Sequence, residues 1–291
     1  MKYRHSHHAG NFADLHKHVA LLGLLRALKR KDKGFLYLDT HAGRGSYDLS
    51  GGSAEAAAGV GRFMQAQPAA HELREFAALV RDFRAGAGRS QLYPGSPLLA
   101  ATELRPQDRA VLFELQGAEA HALEESCAAL ATLRQHPINV RIERGDGFAR
   151  LKAFLPPAER RGLTLLDPPY EEQQDFARLT ESIAEAARRF PTGVVAAWYP
   201  IKDERTIAPW HLECLRALQE STAMRAAVLA SELWLYPRDS RVTLNGSGVL
   251  IVNPPWLTLE HMQVWLPELQ ACLAVGPGGG SSVRMLSESS G

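Results

Sequence analysis

Apolar residues recur along the first third of the chain with two different periods. In residues 12–30, leucines and a valine return every three or four positions, which predicts an amphipathic helix. Residues 35–39 are a short apolar run that ends in an acid before two glycines, which predicts a strand entering a turn. Two Ala-rich helical stretches, about 53–66 and 71–83, follow without an intervening strand. A Gly-rich linker at 84–90 closes this part of the chain.

Beyond this linker, strand-like and helix-like segments alternate. The strand segments are 110–115, 139–143, 162–166 and 193–199, and the helical segments are 119–133, 147–154, 176–190 and 206–219. Such alternation predicts βαβ units, which give a mostly parallel sheet with helices on both faces. Two further strand segments, 226–236 and 248–252, have a loop but no helix between them. They are expected to form an antiparallel hairpin at the sheet edge.

These patterns predict an α/β fold with a Rossmann-like sheet in one domain over residues 1–275. The helices at about 51–90 exceed what one crossover needs, and we interpret them as a small helical insertion. Glycines and serines dominate residues 276–291, so this tail is predicted to be mobile.

Composition narrows the class of protein. Hydrophobic residues make up 45% of the 291 positions, which supports a folded core and argues against disorder. Lys and Arg total 33 and Asp and Glu total 32, so the net charge of +1 neither supports nor excludes a nucleic-acid partner. Cys127, Cys214 and Cys272 form no C-x-x-C pair. This predicts a reducing compartment, no zinc site and no disulfide framework.

Features near the N-terminus indicate location and partners. Residues 1–10 are polar and His-rich, unlike a signal peptide, and the apolar run at 19–28 is too short to span a bilayer. We therefore expect a soluble, cytoplasmic protein, and a monomer because no long apolar surface stripe is evident. His5, His7 and His8 lack an acid or Cys at ligand spacing, so a polar arm is favoured over a metal site.

Three predicted strand ends carry polar residues, and ligands of open parallel sheets bind at the carboxyl ends of strands. The turn at 39–45 contains two glycines but matches neither a dinucleotide fingerprint nor a phosphate loop, so an ordinary turn is the alternative. Glu114 could accept both ribose hydroxyls of a nucleoside, or could simply face solvent. Asp146 and Gly147 could meet an adenine edge, or Asp146 could cap the next helix.

Asp167, Pro168, Pro169 and Tyr170 form the most specific signal in the chain. Two prolines cannot continue a buried strand, so the backbone leaves the sheet at this point with rigid geometry. The Asp167 carboxylate and the Pro168 carbonyl can then accept both hydrogens of a planar amino group, while Tyr170 stacks on the base that carries it. A second Pro-Pro pair, at 253–256, follows the predicted hairpin and is interpreted as structural.

The sequence resembles known methyltransferases at these and other segments. Residues 167–170 resemble the (D/N/S)-P-P-(Y/F/W) motif of enzymes that methylate adenine N6, cytosine N4 or glutamine, and 39–45 resemble their methionine-binding motif. Over residues 3 to about 256 the chain resembles the RlmJ family, which methylates adenine N6 in bacterial 23S ribosomal RNA. The matching segments are 3–6, 8–11, 13–14, 17–18, 35–43, 93–97, 160–162, 198–200 and 253–256.

The resemblance implies a class I methyltransferase fold, S-adenosylmethionine as cofactor, S-adenosylhomocysteine as product and 23S rRNA as partner. The implied cofactor contacts are Lys17, His18, His41, Gly43, Ser96, Glu114, Asp146, Gly147 and Asp167. Asp167, Pro168 and Tyr170 are implied to be catalytic, with Asp167 orienting the amine and accepting its proton. Tyr3 and His5 are implied to lie on the substrate RNA side, with the N-terminal segment closing over the site.

The chain departs from the family pattern at a few positions. His7 and Phe12 stand where an aromatic residue and a histidine are expected, and Arg44 replaces a small residue in the glycine turn. Arg44 adds a charge close to the implied cofactor and leaves the conformation of the turn open.

Other functions share part of this pattern. A DNA adenine-N6 methyltransferase can carry the same motif, but it usually has a larger target-recognition domain than an insertion of about forty residues. A non-catalytic RNA-binding module would be expected to lose Asp167 or the glycine turn, and both are intact. A glutamine methyltransferase motif normally begins with Asn.

Two groups of basic residues are candidate RNA surfaces. One lies at the end of the first predicted helix, where it could bind phosphates or could be a solvated helix end favoured by the helix dipole. The other lies on the predicted insertion. The groups are Arg26, Lys29, Arg30, Lys31 and Lys33, and Arg81, Arg84 and Arg89. An adenine must leave its stack to enter a pocket, so single-stranded or bulged RNA is favoured.

Overall fold

The alternating segments of the sequence build one large sheet with helices on both sides. The computed structural model describes residues 8–134, 137–171, 174–221, 226–240, 242 and 244–288. Within these residues the strands are β1 (Leu36–Asp39), β2 (Ser46–Asp48), β3 (Leu92–Pro94), β4 (Arg109–Glu114), β5 (Val140–Arg144), β6 (Gly162–Leu166), β7 (Val194–Ile201), β8 (Val228–Trp234), β9 (Gly246–Val252) and β10 (Gly280–Ser287).

The helices of the described residues follow the same alternation. They are α1 (Phe12–Lys29), α2 (Ala54–Ala56), α3 (Arg62–Gln65), α4 (His71–Ala87), α5 (Ser96–Glu103), α6 (Gly117–Arg134), α7 (Gly147–Arg150), α8 (Asp175–Arg189), α9 (Glu204–Ser221) and α10 (Thr258–Leu273). A π-helical turn, Ala57–Gly61, joins α2 to α3, and a 3-10 turn, Leu151–Ala153, follows α7.

The strand order confirms the predicted α/β class. In the main sheet the order is β10-β8-β9-β7-β6-β1-β4-β5. The five strands from β7 to β5 run parallel, whereas β9 is antiparallel to both β7 and β8. The central strand β1 is buried at all four positions, as expected for a parallel strand covered on both faces. The predicted antiparallel pairing of the last two strand segments is therefore confirmed.

Two hydrophobic cores lie on opposite faces of the sheet. One is filled by residues of α1, α4, α5, α6 and α10, and the other by residues of α8 and α9. The crossover direction of the chain reverses at β1, because β4 and β6 flank it on opposite sides. Crevices at such reversals, outside the carboxyl ends of the strands, are where open α/β sheets bind ligands.

The prediction of a mobile tail from residue 276 is wrong for most of that segment. Residues 280–287 form β10, which pairs antiparallel with β8 and makes the outer edge of the sheet. The hairpin is therefore covered by a further strand rather than lying at the edge. A Cβ on Gly280 would lie 2.6 Å from the Trp234 ring, so this glycine permits a close approach of the chain rather than mobility.

A ring of polar side chains helps to attach β10. Arg284 donates to the Glu232 carboxylate at 3.0 Å, and Tyr199 donates to the other oxygen of that carboxylate at 3.0 Å. His211 closes the ring through hydrogen bonds to Tyr199 at 2.9 Å and to Arg284 at 3.4 Å. Glu232 is buried in β8, so Arg284 stabilises an otherwise costly carboxylate and joins β10 to it.

Several elements were absent from the sequence prediction. The small sheet formed by β2 and β3, the helix α5 and the helix α10 had not been predicted. The predicted linker at 84–90 starts too early, because α4 continues to Ala87 and ends at Gly88 with φ of 62°. Among the described helices, none is both long enough and apolar enough to cross a membrane.

Candidate active site

A cavity of about 610 Å³ opens at the carboxyl edge of the sheet. The first turns of α1, the turn after β1 and the residues that follow β4, β5 and β6 form its walls. Its volume falls in the range of small-molecule and cofactor sites. Of the residues implied by the resemblance, Lys17, His41, Gly43, Glu114, Asp146, Gly147, Asp167 and Pro168 line it.

The glycine turn has a conformation that other residues would not readily adopt. Gly43 has φ of 63°, and a Cβ there would lie 2.4 Å from the Tyr47 hydroxyl. Arg44 points its guanidinium to Glu119, with two hydrogen bonds of 3.0 Å each. The charge that Arg44 adds to the turn is therefore paired.

Glu114 ties the glycine turn to β4. Its carboxylate accepts from the Gly43 amide at 2.9 Å and from the Gln116 amide at 2.7 Å. Burial raises the pKa of Glu114, although these amide donors oppose the rise. A carboxylate has about four acceptor positions, so further acceptor capacity is left for hydroxyl groups in the cavity.

Asp146 and Gly147 follow β5 at the neighbouring strand end. The Asp146 carboxylate caps α7 through the Ala149 amide at 3.3 Å and pairs with Arg178 at 2.6 Å. A Cβ on Gly147 would lie 2.2 Å from the Thr40 carbonyl oxygen, so only glycine lets these two backbone segments approach. The sequence left open whether Asp146 caps a helix or contacts a ligand. In the structure Asp146 caps α7 and also lines the cavity.

His41 lies in the turn after β1, the strand that pairs with β4 on the side away from β5. Its ring contacts the edge of Phe148, with centroids 4.6 Å apart, and its Nδ1 is 2.8 Å from the Thr40 hydroxyl. Burial lowers the pKa of His41 to about 4, so the ring is neutral at pH 7. A neutral imidazole beside an aromatic ring offers a flat, mostly apolar wall to a ligand.

Asp167 and Lys17 form a nearly buried ion pair in the wall of the cavity. The Lys17 ammonium lies 2.6 Å from Asp167 Oδ2 and 2.8 Å from Asp14 Oδ1. Burial opposes the charge on Lys17, but the two carboxylates outweigh it and hold the pKa of Lys17 above its ordinary value. No described residue donates to Asp167 Oδ1 or to the Pro168 carbonyl. Both acceptors are thus available to a ligand.

Tyr170 has a different position from the one expected. Its hydroxyl donates to the Trp198 carbonyl at 2.5 Å, and its ring packs between Phe176 and Trp198, with centroids 4.9 and 5.3 Å away. Tyr170 is absent from the cavity wall, whereas Trp198 on β7 belongs to it. The Trp198 ring is held by a 2.9 Å hydrogen bond from its Nε1 to the Ser247 hydroxyl.

His18 and Ser96 lie behind the cavity wall. Ser96 donates to Asp39 at 2.8 Å, and Tyr37 donates to the same carboxylate at 2.8 Å. Burial raises the pKa of Asp39 to about 6, although these donors oppose the rise. His18 is buried and hydrogen-bonded to Tyr93 at 2.7 Å. His18 and Ser96 could therefore affect cofactor binding only indirectly, by positioning the residues that they contact.

Two residues of the site, Asp14 and Trp198, were not predicted as site residues. The available signal was an acid one helical turn before Lys17 and a large aromatic near the carboxyl end of a predicted strand. The predicted substrate residues Tyr3 and His5 lie outside the described residues. His8, the first described residue, lies at the cavity and pairs with Glu55 of α2 at 2.8 Å.

The cavity is strongly acidic. Of the residues that the structure describes, seven carboxylates line it against three cations, Lys17, Arg44 and Arg178. Its electrostatic field therefore favours a positively charged ligand and disfavours phosphate. In the described part of the chain, no cluster of three or more His, Cys, Asp or Glu side chains could hold a metal ion, and independence from metals stays a prediction.

Comparison with known proteins gives consistent matches. The family model described as "Ribosomal RNA large subunit methyltransferase D, RlmJ" matches residues 32–286. Two proteins named ribosomal RNA large subunit methyltransferase J are similar over nearly their whole length. The Escherichia coli protein is 39% identical over 98% of this chain and 99% of its own. The Haemophilus influenzae protein is 37% identical over 97% and 96%.

A solved structure agrees with these matches. A crystal structure of a Legionella pneumophila protein superimposes with a TM-score of 0.79 at 32% identity, covering 96% of this chain and 98% of that protein.

Proposed function

This chain belongs to the RlmJ family of ribosomal RNA large subunit methyltransferases, and on that basis we propose that it methylates N6 of an adenine in 23S ribosomal RNA. Family membership makes it a methyltransferase that uses S-adenosylmethionine. The observation that carries the finer proposal is the pair of acceptors in the cavity, Asp167 Oδ1 and the Pro168 carbonyl, to which no described residue donates. A monomeric state and a cytoplasmic location stay predictions.

The residues of the cavity fit the cofactor. S-adenosylmethionine carries a sulfonium and an ammonium group, and the acidic lining complements both. Glu114 has acceptor capacity for the ribose hydroxyls, and the glycine turn at Gly43 lets the backbone approach the methionine part. The wall formed by His41, Asp146 and Gly147 suits the adenine. When bound, the cofactor supplies an electrophilic methyl group.

Asp167 and Pro168 orient the target amine. Lys17 occupies Asp167 Oδ2, so Oδ1 is the oxygen left to accept one N6 hydrogen, and the Pro168 carbonyl accepts the other. Accepting both hydrogens aligns the nitrogen lone pair for attack on the methyl carbon, in a site organised by positioning. After the methyl group has moved to N6, the nitrogen releases one proton to the Asp167 carboxylate.

Trp198 supplies the stacking surface for the adenine. It belongs to the cavity wall beside Pro168 and Pro169, and its ring is immobilised by Ser247. Tyr170 supports it from outside that wall through an edge contact and the hydrogen bond to the Trp198 carbonyl. The motif tyrosine is therefore proposed to act as a positioning residue here. Stacking a base on an aromatic ring contributes about 1–3 kcal/mol.

Methyl transfer from labelled S-adenosylmethionine tests the reaction. Unmodified 23S rRNA is expected to gain N6-methyladenosine with the wild type and with Asp239→Asn, an exposed carboxylate outside the cavity. Asp167→Asn is expected to lose transfer while still binding the cofactor. Label in duplex DNA would favour a DNA methyltransferase, and a wild type that does not bind S-adenosylmethionine would refute the enzyme class.

Steady-state kinetics test the stacking surface. Trp198→Leu should lower kcat/KM for RNA about 5- to 100-fold, with cofactor Kd changed less than threefold, and Trp198→Phe should recover most of it. Tyr170→Phe, which removes only the hydroxyl, should change kcat/KM little. Trp256→Leu is the matched control, because Trp256 is 79% exposed at the opposite edge of the sheet. Unchanged RNA kinetics in Trp198→Leu would contradict the assignment.

A further inference from the structure

A group of exposed cations lies at the opposite edge of the sheet from the cavity. The loop after α1 carries Arg30, Lys31 and Lys33, and the segment before β6 carries Arg160. All four are exposed, and their cationic side chains form no ion pair or hydrogen bond with a described residue. These four residues form a surface that we call the basic edge.

The fold assembles the basic edge from segments far apart in sequence. Arg161 donates to the carbonyls of Leu28 and Lys33, and Arg105 donates to the carbonyls of Lys29 and Lys31 at 3.3 and 3.1 Å. These bonds hold carbonyls of the last turn of α1 and of the loop that follows it. They also fix the loop, so its cationic side chains are presented on an ordered backbone.

The charge of this region is largely uncompensated. Arg105, Arg109 and Arg161 add three cations beneath the basic edge, and the nearby carboxylates are Asp32, Asp108 and Glu159. Arg105 pairs with Asp108 and Arg109 pairs with Glu159. Seven described cations thus face three carboxylates, on a chain whose net charge is only +1. Burial, and then the charge of Arg105, lower the pKa of Arg161, which is consistent with crowded positive charge.

The two other basic residues near the end of α1 are paired within the protein. Arg26 and Lys29 pair with Glu103 at 2.9 and 2.7 Å. Their charge is thus compensated by a buried carboxylate, whereas the side chains of Arg30, Lys31 and Lys33 have no described carboxylate partner.

The insertion offers less free positive charge. The Arg84 guanidinium donates to the Leu92 carbonyl at 3.0 Å, and Arg89 pairs with Asp48. Arg81 alone of this group is exposed with no described partner. An isolated cation is a weak phosphate-binding surface.

The acidic cavity cannot supply phosphate affinity. Among its described residues, seven carboxylates against three cations disfavour a phosphate backbone, so other surfaces are better suited to contribute the phosphate contacts of RNA binding. The strands β1 and β6, of four and five residues, separate the two edges by roughly 15 Å at about 3.3 Å per residue. A folded ribosomal RNA is large enough to contact both.

We propose that the basic edge binds the phosphate backbone of the substrate RNA, while the cavity at the opposite edge takes the flipped base. This inference rests on the proposed function for the identity of the RNA. Phosphate contacts of this kind give affinity with little sequence information. They would hold the RNA on the domain while individual bases sample the cavity.

Salt dependence of RNA binding tests the proposal. The affinity of the full chain for protein-free, unmodified 23S rRNA is measured by filter binding over a series of KCl concentrations. The variant Lys31→Gln/Lys33→Gln/Arg160→Gln should weaken binding and make the slope of log K against log [KCl] shallower by about 2 to 3, since each phosphate contact contributes about 0.7–0.9. Arg160→Gln alone should change the slope by about 1.

A matched variant controls for the change in net charge. Arg81→Gln/Lys152→Gln/Arg216→Gln also removes three exposed cations with no described partner and should keep the wild-type slope. Cofactor Kd and kcat at saturating RNA should be unchanged in both triple variants. A wild-type slope in the first variant, or an equal loss in the second, would overturn the inference. Tight, salt-dependent RNA binding without methyl transfer would instead refute the proposed function and leave the basic edge supported.

Discussion

Replacing Arg284 with methionine removes the side chain that joins β10 to the sheet. Methionine has a long, unbranched side chain that fits in a strand, but it cannot donate a hydrogen bond to Glu232 or His211. The Glu232 carboxylate, only 5% exposed, would keep the Tyr199 hydroxyl as its single described donor. The substitution therefore tests whether this contact, rather than the backbone pairing alone, holds the last strand in place.

The size of the effect follows from the burial of the two partners. A hydrogen bond to a charged group contributes about 1.5–3 kcal/mol, and removing one partner of a fully buried pair costs about 3–5 kcal/mol. Arg284 is 43% exposed, so water can partly replace it, and the lower range applies. We expect the local free energy of opening of β10 to fall by about 2 kcal/mol.

Hydrogen exchange measures this opening directly. A loss of about 2 kcal/mol raises the exchange rates of the amides of residues 280–287 about 30-fold, provided that the strand opens as a unit. Arg216→Met is the control, since Arg216 is exposed on α9 with no described partner. A double-mutant cycle with Glu232→Gln, measured by urea unfolding, should give a coupling energy of about 1–2 kcal/mol.

Two results would refute the reasoning. Unchanged protection of β10 in Arg284→Met would show that backbone pairing with β8 suffices to hold the strand. A coupling energy near zero with Glu232→Gln would show that the two side chains act independently, whatever the effect of each alone.

Three further predictions concern the cores and the cavity. Burial lowers the pKa of His16 to about 3 and that of His211 to about 4 in the folded protein. In the unfolded protein both histidines have a pKa of about 6.5, so below that pH the unfolded state binds more protons than the folded state. Urea unfolding should therefore show the free energy of unfolding falling from pH 6.5 toward pH 4, by about 2 kcal/mol per histidine at pH 5. Gly147→Ala places a Cβ against the Thr40 carbonyl, and calorimetry should show cofactor affinity at least tenfold lower; unchanged affinity would contradict the proposed contact. Lys17→Met removes the ammonium that pairs with the nearly buried carboxylates of Asp14 and Asp167, and it should lower the free energy of unfolding by about 3 kcal/mol. An equally stable variant would contradict a stabilising role for the Lys17 ammonium.

Local signals in the sequence predicted the architecture well. Alternating strand and helix periods gave the parallel sheet, because hydrophobic periodicity reports which side of each element is buried. The placement of Asp167 and Pro168 at a strand end was also predictable, since two prolines end a strand wherever they occur. The identities of eight cavity residues followed from resemblance together with these strand ends. Each of these signals is carried by a few consecutive residues.

Contacts between distant segments could not be predicted in the same way. The Gly-rich composition before β10 suggested mobility, but Gly280 instead lets the chain pass over Trp234. Tyr170 has the right position in its motif for stacking, yet the turn after β6 and the packing of Phe176 put its ring behind Trp198. Composition and motif spacing do not indicate which side chains from distant parts of the chain pack against a given residue.

The sequence by itself determined the class of fold, the strand ends that carry the chemistry and the residue types available there. The tertiary structure alone decided which of them meet. It put the Lys17 ammonium against two carboxylates, one of them 150 residues away, and joined Arg161 to the loop of Lys33. The physical reason is that periodicity and turn chemistry act over a few residues. Burial, charge pairing and access to a cavity depend on packing of the whole chain.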